Sequence, residues 1–166
     1  MSDIIIREIE EKDNQPLKTL VINTLAEFGV VSNNCSNTDS ELDNLYRQYN
    51  KENNFYFVVE IDNQVLGGAG CITLKNLNDL RVCELRKMYF DKQLRGLGMG
   101  EKLLDVCIEK AEKLGFDLIQ LETMPAMSTA QNLYSSRGFE HKVKSKTKNK
   151  KSSCHQACQV FMVKQL

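Results

Sequence analysis

Apolar residues recur along the chain in two ways, at helical spacing and in short clusters rich in β-branched and aromatic residues. The helical spacing appears in four stretches: one from Pro16, one after Thr38, one ending at Gly115 and one over residues 127–137. Thr38 and Glu41 stand at capping-box spacing, which predicts the start of the second helix. The predicted buried positions are Leu17, Leu20, Val21, Leu25 and Phe28 (before Gly29), Leu42, Leu45, Tyr46 and Tyr49, Leu103, Leu104, Cys107, Ile108, Ala111 and Leu114, and Ala130, Leu133 and Tyr134.

The clusters of β-branched and aromatic residues predict strands. They cover residues 3–10, 55–61, 64–74, 82–90, 117–124, 138–143 and 158–166. Asp62 and Asn63 separate the second cluster from the third and predict a tight hairpin turn. The segment 82–90 is expected to pair with 64–74, and the helix that follows it predicts a βαβ crossover to 117–124.

The order of these elements predicts a mixed α/β (α+β) fold in a single domain, residues 1–166. Early helices precede an antiparallel meander, and the crossover lies near the centre. We expect a central sheet of about six to seven mostly antiparallel strands flanked by about four helices.

Charge and composition exclude several classes of protein. Basic and acidic residues balance at 22 each, so no net field attracts nucleic acid or anionic lipid. No apolar run approaches the roughly 18 residues of a membrane span, and the acidic start "DIIIREIE" does not resemble a signal peptide. The six cysteines are scattered, which favours reduced and mostly buried thiols. We therefore expect a cytoplasmic protein.

The stretch "LRGLGMGEKLL" carries the clearest chemical signal, because three glycines follow Arg95 where a strand ends and a helix begins. The first amides of a helix have no internal partner and attract anions. Gly96, Gly98 and Gly100 lack the Cβ atoms that would block a phosphate, and Arg95 can add a charge-assisted contact. The alternative is a glycine-rich turn that only lets strand and helix pack closely.

Two common phosphate motifs do not fit. A Walker loop needs Gly-Lys-Ser/Thr, whereas Glu101 and Lys102 follow Gly100. A dinucleotide fingerprint belongs near the start of a doubly wound sheet, whereas this stretch follows a meander.

The motif Arg95-x-x-Gly98-x-Gly100 resembles the acetyl-CoA signature of the GNAT superfamily of N-acyltransferases. The downstream segment "STAQNLYSSRGF" resembles the A-x-x-L-Y-x-x-x-G-F segment of the same family, through Ala130, Leu133, Tyr134, Gly138 and Phe139. The resemblance covers essentially the whole chain, including the order of strands and helices. Met127 stands where many members have an asparagine, so no contact of that asparagine carries over.

This resemblance implies how acetyl-CoA binds. Its pyrophosphate would lie on the amides of residues 96–101, and its pantetheine arm would lie between two strands that diverge, 82–90 and 117–124. The acyl carbonyl would accept a hydrogen bond from a main-chain N–H near Met88, as in an oxyanion hole. The implied cofactor-binding residues are Met88, Tyr89, Phe90, Arg95, Gly96, Leu97, Gly98, Met99, Gly100 and Glu101.

The resemblance also implies candidate catalytic residues. Tyr134 matches the tyrosine that often protonates the departing thiolate; the alternative is a core tyrosine. An amine nucleophile must lose a proton, and Glu84 and Glu122 are the candidate bases because both interrupt apolar strands. The alternative for each is an ion pair, for instance with Arg86 or Lys87.

The C-terminal region is less specific. Lysines crowd residues 142–151, which favours a solvated loop over an electrostatic collar for an acidic partner. Cys154, His155 and Cys158 do not form the two ligand pairs of a zinc site, so no metal is expected. The segment resembles the end of a group of small GNAT proteins, which would make His155 and Cys158 acceptor-pocket residues and His155 a third candidate for proton transfer. The alternative is a loop histidine and a buried cysteine.

These inferences together predict an N-acetyltransferase that moves the acetyl group of acetyl-CoA to a primary amine of a small molecule, without nucleic-acid or membrane partners. One alternative is a non-catalytic acyl-CoA-binding or sensor domain, and another is an acetyltransferase acting on a protein N-terminus or lysine. The sequence leaves the oligomeric state open; relatives commonly form homodimers through exposed C-terminal strands.

Overall fold

The computed structural model describes residues 3–29, 40–143 and 160–166. Its strands are β1 (Ile4–Glu8), β2 (Phe55–Ile61), β3 (Gln64–Thr73), β4 (Val82–Phe90), β5 (Leu118–Thr123), β6 (Glu140–His141) and β7 (Val160–Gln165). Its α-helices are α1 (Asn14–Glu27), α2 (Leu45–Tyr49), α3 (Met99–Lys113) and α4 (Ser128–Ser136). Short 3₁₀ turns cover Glu11–Asp13, Ser40–Asp43 and Lys92–Leu94.

The seven strands form one sheet in the order β1-β2-β3-β4-β5-β7-β6. Only β4 and β5 pair in parallel, and α3 is the crossover between them. All the other neighbours are antiparallel. The predicted fold class is confirmed, as are the crossover and the pairing of β3 with β4.

The hairpin between β2 and β3 turns on Asp62 and Asn63, as predicted. Their φ angles are 49° and 63°, so both residues lie in the left-handed region. Two left-handed residues at the centre of a two-residue turn match the right-handed twist of the flanking strands, and Asn and Asp tolerate that region better than most side chains.

Each face of the sheet buries its own apolar core. On one face α3 and α4 pack on strands from β2 to β7, with Leu103, Leu121 and Met162 among the residues fully removed from solvent. On the other face α1 and α2 cover β2, β3 and the end of β5, around Leu17 and Tyr56. The two cores hold β4 and β5 from both sides.

The second helix departs from the prediction. It is broken into a 3₁₀ turn and the five-residue α2, because the side chain of Asn44 accepts a 2.9 Å hydrogen bond from the Arg47 amide and starts a new helix. The predicted cap, Thr38, lies outside the described residues.

Two further predictions were wrong in detail. Phe28 is 42% exposed, because α1 ends at Glu27 and Gly29 already has a φ of 74°. Strand β6 has only two residues, whereas the sequence predicted six.

The described cysteines agree with the prediction of buried thiols. Cys71, Cys83 and Cys107 are free and completely inaccessible to solvent. Burial raises the pKa of Cys107, so its thiol stays protonated and behaves as a small apolar side chain with a weak donor. Cys35, Cys154 and Cys158 lie outside the described residues.

Candidate functional site

At the centre of the sheet, the parallel strands β4 and β5 are paired over three residues and then diverge. Val82, Cys83 and Glu84 lie opposite Leu118, Ile119 and Gln120, and the register ends there although both strands continue. A wedge therefore opens between the second half of β4 and the last residues of β5. This is the kind of slot in which an extended ligand can bind beside exposed strand edges.

The edge of β4 that borders this wedge contains a β-bulge. Gly70 of β3 is opposite Arg86, but Gly68 is already opposite Tyr89, so one β3 residue faces two of β4. Lys87 has a φ of +53°, a left-handed conformation that is uncommon for a long side chain. Bulges of this kind turn main-chain groups out of the regular ladder and often lie beside active sites.

Tyr56, which was not among the predicted site residues, contacts this bulge. The hydroxyl of Tyr56 on β2 donates a 2.7 Å hydrogen bond to the carbonyl of Lys87, and both residues are buried. The Tyr56 ring lies over Gly68 and Gly70 of β3, where a Cβ atom would collide with it. Glycines inside a strand indicate a close approach, so "GGAG" in β3 was the available signal.

The start of α3 offers unpaired main-chain donors. Gly98 is the N-cap residue with a φ of +70°, and the first hydrogen bond of the helical turn joins the Lys102 amide to the Gly98 carbonyl at 3.2 Å. Among the described residues, no carbonyl outside α3 accepts from the amides of Met99, Gly100 or Glu101. These amides and the helix dipole form a site suited to an anion.

The three glycines of this loop have two different functions. Gly96 and Gly98 have φ angles of +77° and +70°, and a Cβ atom at either would meet no described atom within 4 Å. They permit left-handed backbone and leave the approach to the amides open. A Cβ atom at Gly100 would lie 3.2 Å from Leu133 of α4 and 3.8 Å from Phe90. Gly100 therefore lets α4 and the end of β4 converge on α3, which is the packing alternative for that one position.

Arg95 is held toward α1. Its Nη1 lies 2.7 Å from Oε2 of Glu27, and its Nη2 donates to the carbonyl of Phe90 at 3.2 Å. A phosphate at the α3 amides would compete with Glu27 for this guanidinium, whose side chain is 41% exposed.

Tyr134 projects from α4 into the core beside Phe139, with ring centroids 5.9 Å apart. Burial raises its pKa, and the nearby Tyr89 adds to the effect. The hydroxyl therefore stays protonated well above neutral pH. Tyr134 belongs to the same buried core as Leu85 of β4 and Leu121 of β5, against which Phe90 also packs.

Met127 is the N-cap residue of α4, and its partly buried side chain packs against the α1/α2 core. The hydroxyl of Thr123 donates to its sulfur at 3.6 Å. An apolar side chain therefore occupies the N-cap position of α4 and makes no capping hydrogen bond there.

Glu84 is 5% exposed, and both of its oxygens accept hydrogen bonds. Arg86 Nε donates to Oε1 at 2.6 Å, and Gln120 Nε2 donates to Oε2 at 3.1 Å. Arg86 also donates to Glu41 at 2.8 Å. Burial alone would lower the pKa of Arg86, but the charges of the two carboxylates outweigh it and raise the pKa. The geometry of Glu84 is therefore that of the ion-pair alternative.

Glu122 lies two residues beyond Gln120 on β5, on the same face and past the last β4–β5 pair. It is half-buried and stands opposite Phe161 of β7. It therefore borders the open part of the wedge, whereas Glu84 lies at its closed end.

The remaining predicted residues, His155 and Cys158, lie outside the described residues, as does most of the lysine-rich segment. Within the described ranges, no group of three or more His, Cys, Asp or Glu side chains is arranged to hold a metal ion. In that same portion, no helix is both long and apolar enough to cross a bilayer.

A separate cavity of about 690 Å³ lies between α1 and the strands β1, β2 and β3. Arg7 in its wall donates to Asp13 at 2.7 and 2.9 Å. Burial alone would raise the pKa of Asp13, but these bonds and the Glu10 amide outweigh it and lower the pKa. Of the described residues that line this cavity, none was predicted for the site, so the wedge and the α3 loop remain the candidate site.

Comparisons with known proteins identify the family and the fold. The sequence model of the acetyltransferase (GNAT) family matches residues 23–139. The chain is 34% identical over 138 residues to the uncharacterized N-acetyltransferase YjgM of Escherichia coli (strain K12), and the match covers 82% of each chain.

Solved structures share the fold over the whole chain. A GNAT-family acetyltransferase from Staphylococcus aureus Mu50 superposes with a TM-score of 0.86 at 23% identity, covering 99% of both chains. The PaiA N-acetyltransferase of Thermoplasma acidophilum, solved in complex with coenzyme A, superposes with a TM-score of 0.75 at 14% identity and the same coverage.

Proposed function

The chain belongs to the acetyltransferase (GNAT) family, and from that premise we propose that it transfers the acetyl group of acetyl-CoA to a primary amine of a small molecule. The observation that carries the proposal is that one core joins three features: the amides at the start of α3, the wedge between β4 and β5, and the protonated hydroxyl of Tyr134.

Residues 96–101 would hold the diphosphate of acetyl-CoA through main-chain amides, with Arg95 as the charged contact. Met88, Tyr89 and Phe90 line the edge of β4 along which the pantetheine arm would extend. The Met88 N–H, next to the bulge, would donate to the acetyl carbonyl and stabilise the charge that develops there. Gly96 and Gly98 support this placement, because they carry no Cβ atom and no described atom lies within 4 Å of where one would stand.

Glu122 is the proposed general base. Alkylamines have pKa values of about 10.4 and are protonated at neutral pH, so a base must remove a proton before attack. The two oxygens of Glu84 are already engaged by Arg86 and Gln120, which favours a structural role for Glu84. Glu122 lies on the same face at the open part of the wedge and can receive the proton directly or through water.

Tyr134 is the proposed general acid. Its raised pKa keeps the hydroxyl protonated at the pH of the reaction, so that it can donate its proton to the departing sulfur. Its contact with Phe139 fixes the ring.

The acceptor is proposed to be a small amine. A competing function, acetylation of a protein N-terminus or lysine, would use the same chemistry, and a non-catalytic acyl-CoA sensor would use only the binding residues. The wedge and the α3 loop support acetyl-CoA binding in all three cases. The three functions therefore differ in whether an acetyl group is transferred and in which acceptor receives it.

A panel of acceptors tests the proposal. Release of CoA is followed with a thiol reagent across amino acids, polyamines, drug-like amines, and peptides with a free N-terminus or lysine. Turnover that depends on a small amine supports the proposed function, whereas turnover with peptides alone supports the protein-directed alternative. Thermal stabilisation by CoA without turnover on any amine would identify a sensor, and the absence of both would overturn the proposal.

A further inference from the structure

We propose that Tyr56 of β2, which is separated from β4 by β3, is a positioning residue for acetyl transfer. Its hydroxyl would fix the peptide group between Lys87 and Met88 and so set the direction of the Met88 N–H. The inference rests on the proposed function, in which that N–H contacts the acetyl carbonyl.

The geometry of the peptide bond supplies the mechanism. A trans peptide is planar, and its C=O and N–H point in opposite directions. No peptide bond among the described residues is cis. The Tyr56 hydroxyl holds the Lys87 carbonyl at 2.7 Å, so the Met88 N–H in the same plane must point away from Tyr56. Loss of the hydroxyl would free that plane to rotate.

The bulge needs an external support. Lys87 adopts a φ of +53° although it has a Cβ atom and a long side chain, and such residues persist only where their surroundings impose the conformation. The Tyr56 hydroxyl reaches the bulge from the α1/α2 face. From the opposite face, the Cys107 thiol of α3 lies 3.8 Å from the carbonyl of Ala69, the β3 residue opposite the bulge.

The neighbouring strand is built to admit this tyrosine. A Cβ atom on Gly68 would lie 2.5 Å from Cε1 of Tyr56 and 2.7 Å from its hydroxyl oxygen. A Cβ atom on Gly70 would collide with the Tyr56 ring and with the carbonyl of Phe55. Two glycines therefore leave the space through which the ring reaches β4.

Tyr56 is 1% exposed, so it can contact neither acetyl-CoA nor an amine. Burial raises its pKa, and the hydroxyl remains a donor throughout the pH range of an assay. Its influence on turnover would therefore act through the Lys87–Met88 peptide alone.

Tyr49 provides a matched control. It is also buried, and its ring centroid lies 5.0 Å from that of Tyr56. In the described part of the structure, however, the Tyr49 hydroxyl has no hydrogen-bond partner. Tyr56→Phe and Tyr49→Phe delete the same atom from adjacent buried rings, and only the first deletion removes the 2.7 Å hydrogen bond to the Lys87 carbonyl.

The test compares these variants with the wild-type protein, using the amine that the panel identifies. Tyr56→Phe is expected to lower kcat about tenfold, equivalent to about 1.4 kcal/mol, while the Kd for CoA stays within about twofold. Tyr49→Phe is expected to leave both unchanged. Equal kcat in the two folded variants would overturn the inference, whereas the absence of turnover in the wild-type protein would overturn it together with the proposed function.

A spectroscopic measurement tests the same claim without turnover. Infrared difference spectra of bound acetyl-CoA, labelled with ¹³C at the acetyl carbonyl, report the hydrogen bond to that oxygen. The wild-type protein and Tyr49→Phe are expected to lower the carbonyl frequency equally, and Tyr56→Phe to lower it less. Gly68→Ala, which displaces the Tyr56 ring, serves if Tyr56→Phe does not fold and is expected to have the same effect. A wild-type frequency in the folded variant would overturn the inference.

Discussion

Arg86 and Glu84 lie two residues apart on β4 and form a hydrogen bond of 2.6 Å between Nε and Oε1. Alternate residues of a strand share a face, so this pair needs no turn or loop to meet. Gln120 engages the other oxygen of Glu84, and Glu41 engages Arg86 from the 3₁₀ turn before α2. The four side chains lie at the narrow end of the wedge, whereas Glu122 lies past the last β4–β5 pair, toward its open end.

We predict opposite effects for the two carboxylates. Glu122→Gln is expected to lower kcat by about 100-fold or more, the usual contribution of a general base. Glu84→Gln is expected to keep kcat within a few-fold and to lower the free energy of unfolding by about 2 kcal/mol, because a buried charged hydrogen bond is lost. Steady-state kinetics and urea unfolding measure the two effects.

A weakly basic acceptor is the control for the base. An aromatic amine is already neutral at the assay pH and needs less help in losing a proton. The deficit of Glu122→Gln should therefore shrink with such an acceptor. A deficit of the same size for both kinds of amine would contradict the base role.

Tyr134→Phe is expected to lower kcat about 10- to 100-fold, because the departing sulfur loses its proton donor. The Kd for CoA should stay within about twofold, since the contacts of the α3 loop are unchanged. Isothermal titration calorimetry and single-turnover kinetics separate binding from chemistry. Tyr46→Phe, on a half-exposed ring of α2, is the matched variant and should behave as wild type. Wild-type kcat in Tyr134→Phe would assign Tyr134 to the core alone.

Gly98→Ala is expected to lower both the stability of the protein and its affinity for CoA, whereas Gly29→Ala should lower stability alone. Gly98 and Gly29 have φ angles of +70° and +74°, and a Cβ atom at either meets no described atom. Both alanine substitutions are therefore expected to lower stability by about 1 kcal/mol through backbone strain. Only Gly98→Ala should also weaken CoA binding, because its Cβ lies at the donors of α3. Calorimetry with CoA and thermal unfolding measure the two quantities, and equal affinities in the two variants would show that no diphosphate binds there.

Glu27→Gln is expected to strengthen CoA binding about two- to fivefold, because it releases Arg95 from its 2.7 Å ion pair and removes a negative charge near the diphosphate. The gain should shrink in high salt. Glu112→Gln, near the other end of α3, removes a charge of the same sign and should leave the affinity unchanged. Weaker binding in Glu27→Gln would mean that the ion pair orients Arg95 toward the ligand instead of competing for it.

The protein should lose stability at alkaline pH. Burial raises the pKa of Tyr49, Tyr56 and Tyr134, and also of the thiol of Cys71, in the folded state. In the unfolded chain these groups ionise near pH 10 and 8.5 respectively, as in model peptides. Above those values the unfolded state binds fewer protons than the folded state, so the free energy of unfolding decreases as pH rises.

Thermal unfolding between pH 7 and pH 11 checks this expectation. Tm should be nearly constant around neutrality and should fall from about pH 9 upward. Tyr49→Phe removes one of the shifted groups and should make the decrease above about pH 10 shallower, by up to about 1.4 kcal/mol per pH unit. A Tm that stays constant to pH 11 would contradict the burial of these hydroxyls.

Most of the fold could be predicted from the sequence, because it follows from local patterns. The bounds of β4 were predicted to the residue, and the preference of Asp62 and Asn63 for left-handed backbone specified the turn between β2 and β3. The second helix was harder, since Asn44 competes for backbone donors and interrupts an otherwise continuous apolar stripe. The apolar spacing favours one continuous helix, whereas the side chain of Asn44 caps the start of a new one. The structure contains the new helix.

Those parts of the site that depend on local backbone conformation could be predicted from the sequence. Left-handed backbone at Gly98 needs glycine, so the motif marks its own position. The environment of Glu84 depends on Glu41 and Gln120, distant in sequence, and no local pattern reveals such partners. The glycines of β3 indicated a close approach but not its partner, so the bulge at Lys87 was missed, because the Tyr56 hydroxyl that contacts it is also distant in sequence.

The small number of residue pairs between β4 and β5 has a consequence for how the enzyme can evolve. Three residue pairs join the four N-terminal strands to the three C-terminal ones, whereas β2 and β3 are joined by seven. Packing on the two faces therefore helps to set the gap between the halves, and Leu103 and Cys107 of α3 sit in a core shared by both. We expect changes of side-chain volume along that helix to widen or narrow the wedge without altering a residue at its edges.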